Sequence, residues 1–147
     1  MTIVDCEFME GLLYDREHVW YKVTGDSLRI GVTDFFQKMA NEIVFVELPV
    51  AGRALENGKP FISIESGKWV GRIKCTVEGT VENANGELAD FPYLLNESPY
   101  DDGWLIEIKP SAEDYIAGLF DLTDPGQLDE FKSFMESERR RIADMLK

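Results

Sequence analysis

The sequence predicts a mainly β protein, a flattened antiparallel barrel-sandwich of two small sheets with helices at its C-terminal end. Three observations predict it. Short β-branched and aromatic runs alternate with turn signals from Tyr14 to Pro110, a tight hairpin pattern spans Phe61 to Val77, and apolar residues after Asp124 recur at helical steps. At 147 residues the chain is long enough for one domain with a real core and too short to expect two. Residues 1–147 are therefore read as a single domain, its core at about 14–110 and a helical segment at about 111–147.

The first 13 residues show no clear period, and Phe8, Met9, Leu12 and Leu13 are expected to pack as a short covering turn. From Tyr14 a strand pattern runs through His18, Trp20 and Val23, turns at Thr24-Gly25-Asp26, and returns along Leu28 to Val32. Thr33-Asp34 can cap a short amphipathic helix that places Phe35, Phe36, Met39 and Ala40 on its apolar face. Ile43 to Leu48 reads as a strand stopped by Pro49, and 51–53 and 56–60 read as turns. A further strand and turn are expected at Cys75 to Val81, a helical turn and loop at Leu88 to Asn96, and a closing strand at Trp104 to Ile108. Asp124 caps a final helix with Pro125 in its first turn, and Leu128, Phe131, Met135, Ile142 and Met145 form a stripe that suits docking on the same domain.

Charge narrows the function. Fifteen basic against 28 acidic side chains leave a formal charge of −13, which repels a phosphate backbone and an anionic membrane surface. No apolar run reaches membrane-spanning length and the first residues lack the features of a signal peptide, so a cytoplasmic location is expected. Cys6 and Cys75 are too few for a disulfide framework and read as small buried hydrophobes, or as one thiol available for exchange. His18 is the only histidine, so a histidine-rich metal site is excluded and a structural role is expected. No metal-ligand spacing, phosphate loop or catalytic dyad stands out.

The hairpin carries the chemistry. Phe61, Ile62 and Ile64 on one side and Val70, Ile73 and Val77 on the other are interrupted by Ser66-Gly67-Lys68, which places Lys68 at an exposed tip. A surface ion pair there is worth at most about 1 kcal/mol. The amine is instead presented to a modifying enzyme.

On these residues the chain resembles the H protein of the glycine cleavage system, whose lipoyl hairpin carries Glu-Ser-x-Lys. The resemblance extends to His18-Val19-Trp20, Gly31-Val32-Thr33-Asp34, Ile43 to Pro49, Asn85 and Leu88, Pro92 to Asn96, Ser98-Pro99-Tyr100 and Gly103-Trp104. It implies lipoic acid in amide linkage to Lys68, with Glu65, Ser66, Gly67, Trp69 and Arg72 as candidate arm contacts. It also implies a non-catalytic carrier served by lipoate-attaching enzymes and dihydrolipoamide dehydrogenase, the cofactor supplying the redox and group-carrying chemistry. Where the family places two cleft carboxylates that hold a cationic aminomethyl group, this chain has Val19 and Arg72. Glu65 to Gly71, together with Cys6, resembles the lipoate-binding proteins of heterodisulfide-reductase-like complexes. The first expectation is accordingly a carrier of sulfur bound to dihydrolipoamide, in cytoplasmic oxidation to sulfite. The alternatives are a carrier of aminomethyl between glycine decarboxylase and aminomethyltransferase, or a non-catalytic lipoyl-lysine interaction or signalling module, an interaction module whose lysine is a regulatory mark.

Overall fold

The computed structural model describes residues 1–67 and 69–145. A ribbon of β1 (Thr2–Ile3) and β2 (Cys6–Glu7) precedes β3 (Leu13–Tyr14), β4 (Val19–Thr24), β5 (Ser27–Val32) and α1 (Asp34–Ala40). The chain continues through β6 (Ile43–Glu47), β7 (Ala54–Leu55), β8 (Pro60–Ser66), β9 (Val70–Lys74) and β10 (Gly79–Ala84). After a 3-10 turn at Gly86–Ala89 come α2 (Leu94–Glu97), β11 (Ile106–Pro110), a second 3-10 turn at Glu113–Gly118, β12 (Phe120–Asp121) and α3 (Pro125–Met145). The fold is the expected mainly β antiparallel arrangement with a C-terminal helix.

The two main sheets are unequal. One has the order β12-β3-β4-β5-β11-β10-β7 and the other β6-β8-β9. The larger sheet exceeds the expectation because β3, β7 and β12 are two residues long, too short to display an alternating pattern. β7 falls between the two expected turns, held by pairing of Ala54 and Leu55 with Thr80 and Gly79. The strand expected from Cys75 begins instead at Gly79, the Cys75 thiol donating to the Val77 carbonyl at 2.7 Å in the intervening turn. The closing strand runs on to Pro110, which as the last strand residue ends the ladder where its missing N–H is least costly.

β4 explains why the sequence shows no alternation at its start. Val19, Trp20 and Tyr21 are all fully buried, because the large sheet is covered on both faces. Val19 and Tyr21 join Leu28, Ile30, Ile62 and Ile64 between the sheets. Trp20 joins Phe8, Tyr14, Phe120, Phe131 and Met135 under α3. The expected helical stripe therefore packs on its own domain through Phe131 and Met135, with Leu128 and Ile142 partly covered. Asp124 caps that helix as expected, its Oδ1 accepting from the amides of Gly126 and Gln127 at 2.9 and 3.2 Å. Thr33 likewise caps α1, its Oγ1 accepting from the Phe36 amide.

Two buried polar groups tie these layers together. Asp15 accepts from the amides of Glu17 and Val19 through one oxygen, and from the hydroxyls of Tyr21 and Thr76 through the other, at 2.6–3.1 Å. Burial pushes its carboxyl up and the four donors oppose that shift. His18, with φ of 66°, sits between Phe35 and Phe134, and its Nε2 lies 2.7 Å from Glu138 on α3. That is the structural role expected of it.

The His18 and Arg141 hydrogen bonds hold the Glu138 carboxyl at about 2, below its ordinary value of 4.5. A depressed carboxyl contributes stability above the unfolded value that is lost as pH falls through the folded one. Urea unfolding between pH 5 and pH 2 is expected to show roughly 1–2 kcal/mol more acid loss in the wild type than in Glu138→Gln, after allowing for solvent screening. Equal slopes would show that the pair does not anchor α3.

Candidate functional site

The β8–β9 hairpin forms because it buries an apolar inner face. Ile62, Ile64 and Ile73 are buried, while Glu65, Val70 and Arg72 point outward. Its end is closed by Ser66, whose amide donates to the Trp69 carbonyl at 2.8 Å and whose hydroxyl donates to the same oxygen at 3.4 Å. Lys68, the candidate attachment residue, lies outside the described residues. Gly67 is exposed, and a Cβ added there would meet nothing within contact distance.

The remaining candidate residues divide between two faces. Across the sheet, Phe45, Glu65 and Val70 form one outward row and Glu47, Ser63 and Arg72 the next. With Phe45 47% and Val70 71% exposed, the first row presents an apolar strip with an acidic centre beside the hairpin end. Arg72 lines a shallow depression of about 180 Å³ with Glu47, Arg53 and Ser63. Trp69 faces elsewhere, into a groove of about 800 Å³ bounded by β1–β2, α1 and the distal part of α3. Glu65 and Arg72 are thus brought to the outer face, and Trp69 is not brought to Arg72.

Trp69 is held in place by two residues that sequence reasoning missed. A Cβ at position 71 would run into the indole, so only glycine lets the ring lie over the β9 backbone. Phe36 from α1 meets it edge to face at 5.7 Å. Glycine two residues after a tryptophan was the visible signal, but the contact depends on the ring's direction. Val19, read as a cleft position, is fully buried opposite Val32. Of these two altered positions, Arg72 alone is exposed.

The thiols are poor candidates for exchange. Both are buried, and burial pushes Cys6 up and Cys75 up to about 11, so both stay protonated at neutral pH. Among the described residues no group of three or more His, Cys, Asp or Glu could hold a metal ion, and no helix is long and apolar enough to cross a membrane.

Comparison with known proteins follows this geometry. The family model described as glycine cleavage H-protein matches residues 12–131. A glycine cleavage system H protein of Halalkalibacterium halodurans is 42% identical over 127 residues, 86% of this chain and 94% of the relative. One from Anoxybacillus flavithermus is 48% identical over 100 residues, 68% of this chain and 79% of the relative. The crystal structure of a glycine cleavage system H protein from Mycobacterium marinum superposes with a TM-score of 0.71 at 25% identity, covering 79% of this chain and 94% of that one.

Proposed function

The chain belongs to the glycine cleavage H-protein family, and from that premise we propose that Lys68 carries lipoic acid whose reduced arm shuttles aminomethyl between glycine decarboxylase and aminomethyltransferase. The observation that supports it best is the family match over residues 12–131, which includes the whole β8–β9 hairpin. When bound, the lipoyl group supplies the disulfide and thiol chemistry. The chain supplies presentation. A two-stranded support closed by Ser66 and Trp69 limits local motion, and the exposed Phe45–Glu65–Val70 row offers a surface to enzymes that load, unload or reoxidise the arm. Lipoate-attaching enzymes and dihydrolipoamide dehydrogenase complete the set of partners, in a cytoplasmic setting.

The substitutions that favoured sulfur as the cargo weigh less in three dimensions. Burial of Val19 makes it a packing residue, and Arg72 is solvent-exposed. An exposed cation alters the energy of a nearby charge by about 0.2–1 kcal/mol, too little to forbid a cationic cargo. Sulfur bound to dihydrolipoamide remains the second reading, favoured by the same positive charge, and would make a heterodisulfide-reductase-like complex the partner.

Incubation of the reduced, lipoylated protein with glycine and glycine decarboxylase is expected to add aminomethyl to the intact mass. Arg72→Asp is expected to increase the loading rate by about two- to fivefold. A gain of sulfur from a sulfane donor, without aminomethyl loading, would select the second reading. An unmodified Lys68 in the native host would overturn both and leave the interaction module.

A further inference from the structure

We propose that the exposed aromatic pair Phe91 and Tyr93 is the docking face for an arginine-bearing surface on an enzyme that serves the arm. This inference rests on the lipoyl-carrier reading for the identity of the partner, and it concerns a face to which that reading gives no role. Phe91 is 46% and Tyr93 41% exposed, and neither ring joins either core cluster. Their centroids lie 6.0 Å apart at 67°, edge to face, with Pro92 between them in the chain. The core is complete without them, so two large rings are held side by side in water, as at a surface kept for a partner.

The rings stand on an ordered base. Leu88 and Leu95, on either side of them in the chain, are buried. The Phe91 amide donates to the Glu87 carbonyl at 2.8 Å, and the Glu97 amide to the Tyr93 carbonyl at 3.0 Å. Asn85 fastens the start of the segment, its Nδ2 donating to the carbonyls of Asp102 and Trp104 at 2.9 and 2.8 Å. A surface fixed in this way gives up little freedom on binding. Its place also suits the arm. On α2, Asn96 accepts from the Ile43 amide at 2.9 Å through Oδ1, and Ile43 pairs with Ser66 at the closed end of the β8–β9 hairpin. Only β6 therefore separates α2 from the hairpin end.

Charge selects the occupant. From Glu82 to Asp102 there are six acidic side chains, all exposed, and no basic one. Asp90 precedes Phe91, and Glu97 lies one helical turn beyond Tyr93. Among the described residues no ion pair neutralises either carboxylate, whereas Glu56 and Glu130 have Lys59 and Arg16. A guanidinium stacks on an aromatic face and forks onto a carboxylate, which an ammonium does less well. Two rings flanked by unpaired carboxylates thus fit arginine side chains and repel an acidic partner.

The test titrates the full chain with an Arg-Ala repeat decapeptide and its Lys-Ala counterpart by calorimetry at low salt. The wild type is expected to bind the arginine peptide about two- to fivefold more tightly than the lysine one. Phe91→Ser combined with Tyr93→Ser is expected to weaken the arginine peptide about fivefold and to erase that preference. Asp90→Asn with Glu97→Gln is expected to weaken it about two- to fivefold. Glu113→Gln with Asp114→Asn removes the same amount of charge at the second 3-10 turn, and is expected to leave affinity within about twofold. All three variants are expected to keep the wild-type unfolding midpoint. On protein first shown to be lipoylated by intact mass, the ring variant is expected to raise KM about fivefold with at least one of glycine decarboxylase, aminomethyltransferase and dihydrolipoamide dehydrogenase, with kcat within about twofold. A ring variant that binds the peptide like the wild type, or an equal loss from the change at Glu113 and Asp114, would overturn the docking face and leave the carrier reading standing. So would a KM unchanged with all three enzymes. Absence of the lipoyl mass would remove the carrier reading, and the peptide titration would then decide the face alone.

Discussion

Lys68→Arg is expected to abolish lipoylation and with it all cargo transfer, while unfolding free energy stays within about 0.5 kcal/mol of the wild type. Arginine keeps the positive charge, but its guanidinium does not lose a proton in proteins and cannot serve as the acylated amine. The substitution thus separates the chemistry of the amine from any effect of charge at the hairpin. Intact mass after incubation with a lipoate-attaching enzyme reads the first effect, and a urea melt the second. A persisting lipoyl mass would move the attachment to another lysine. A loss of several kcal/mol in the melt would show that the side chain supports the fold, contrary to an exposed tip.

The second large effect is structural. Gly31→Ala is expected to destabilise the protein by about 2–3 kcal/mol, because the new Cβ would overlap the indole of Trp20 on the neighbouring strand. That ring has nowhere to retreat. It is fully buried under α3, and its Nε1 donates to the Pro99 carbonyl at 2.9 Å. At Gly86, by contrast, an added Cβ meets nothing within contact distance, and Gly86→Ala is expected to stay within about 0.5 kcal/mol. Equal melts for the two variants would mean that the β4–β5 pair can spread to admit the methyl group.

These two substitutions also mark what could be read from sequence. The exposed tip of the hairpin, the capping of α1 by Thr33 and of α3 by Asp124, and the docking stripe through Phe131 and Met135 are local patterns: a turn, a cap and a helical period. Such features need only neighbours within a few residues, so the sequence displays them. By itself it determined a mainly β chain, the β8–β9 hairpin, and membership of the H-protein family.

Only the tertiary structure decided the rest, because it depends on which side chains meet across long separations. It buried Val19 and left Arg72 in solvent, which turns two apparent changes of cleft charge into one packing residue and one weak surface cation. It placed the indole of Trp69 on Gly71 and against Phe36, away from the face that bears Arg72. It also brought Cys6 and Ile142, 136 positions apart in the chain, to one groove beside Trp69. No sequence period encodes that meeting, since it is produced by the folding of both chain ends onto α1.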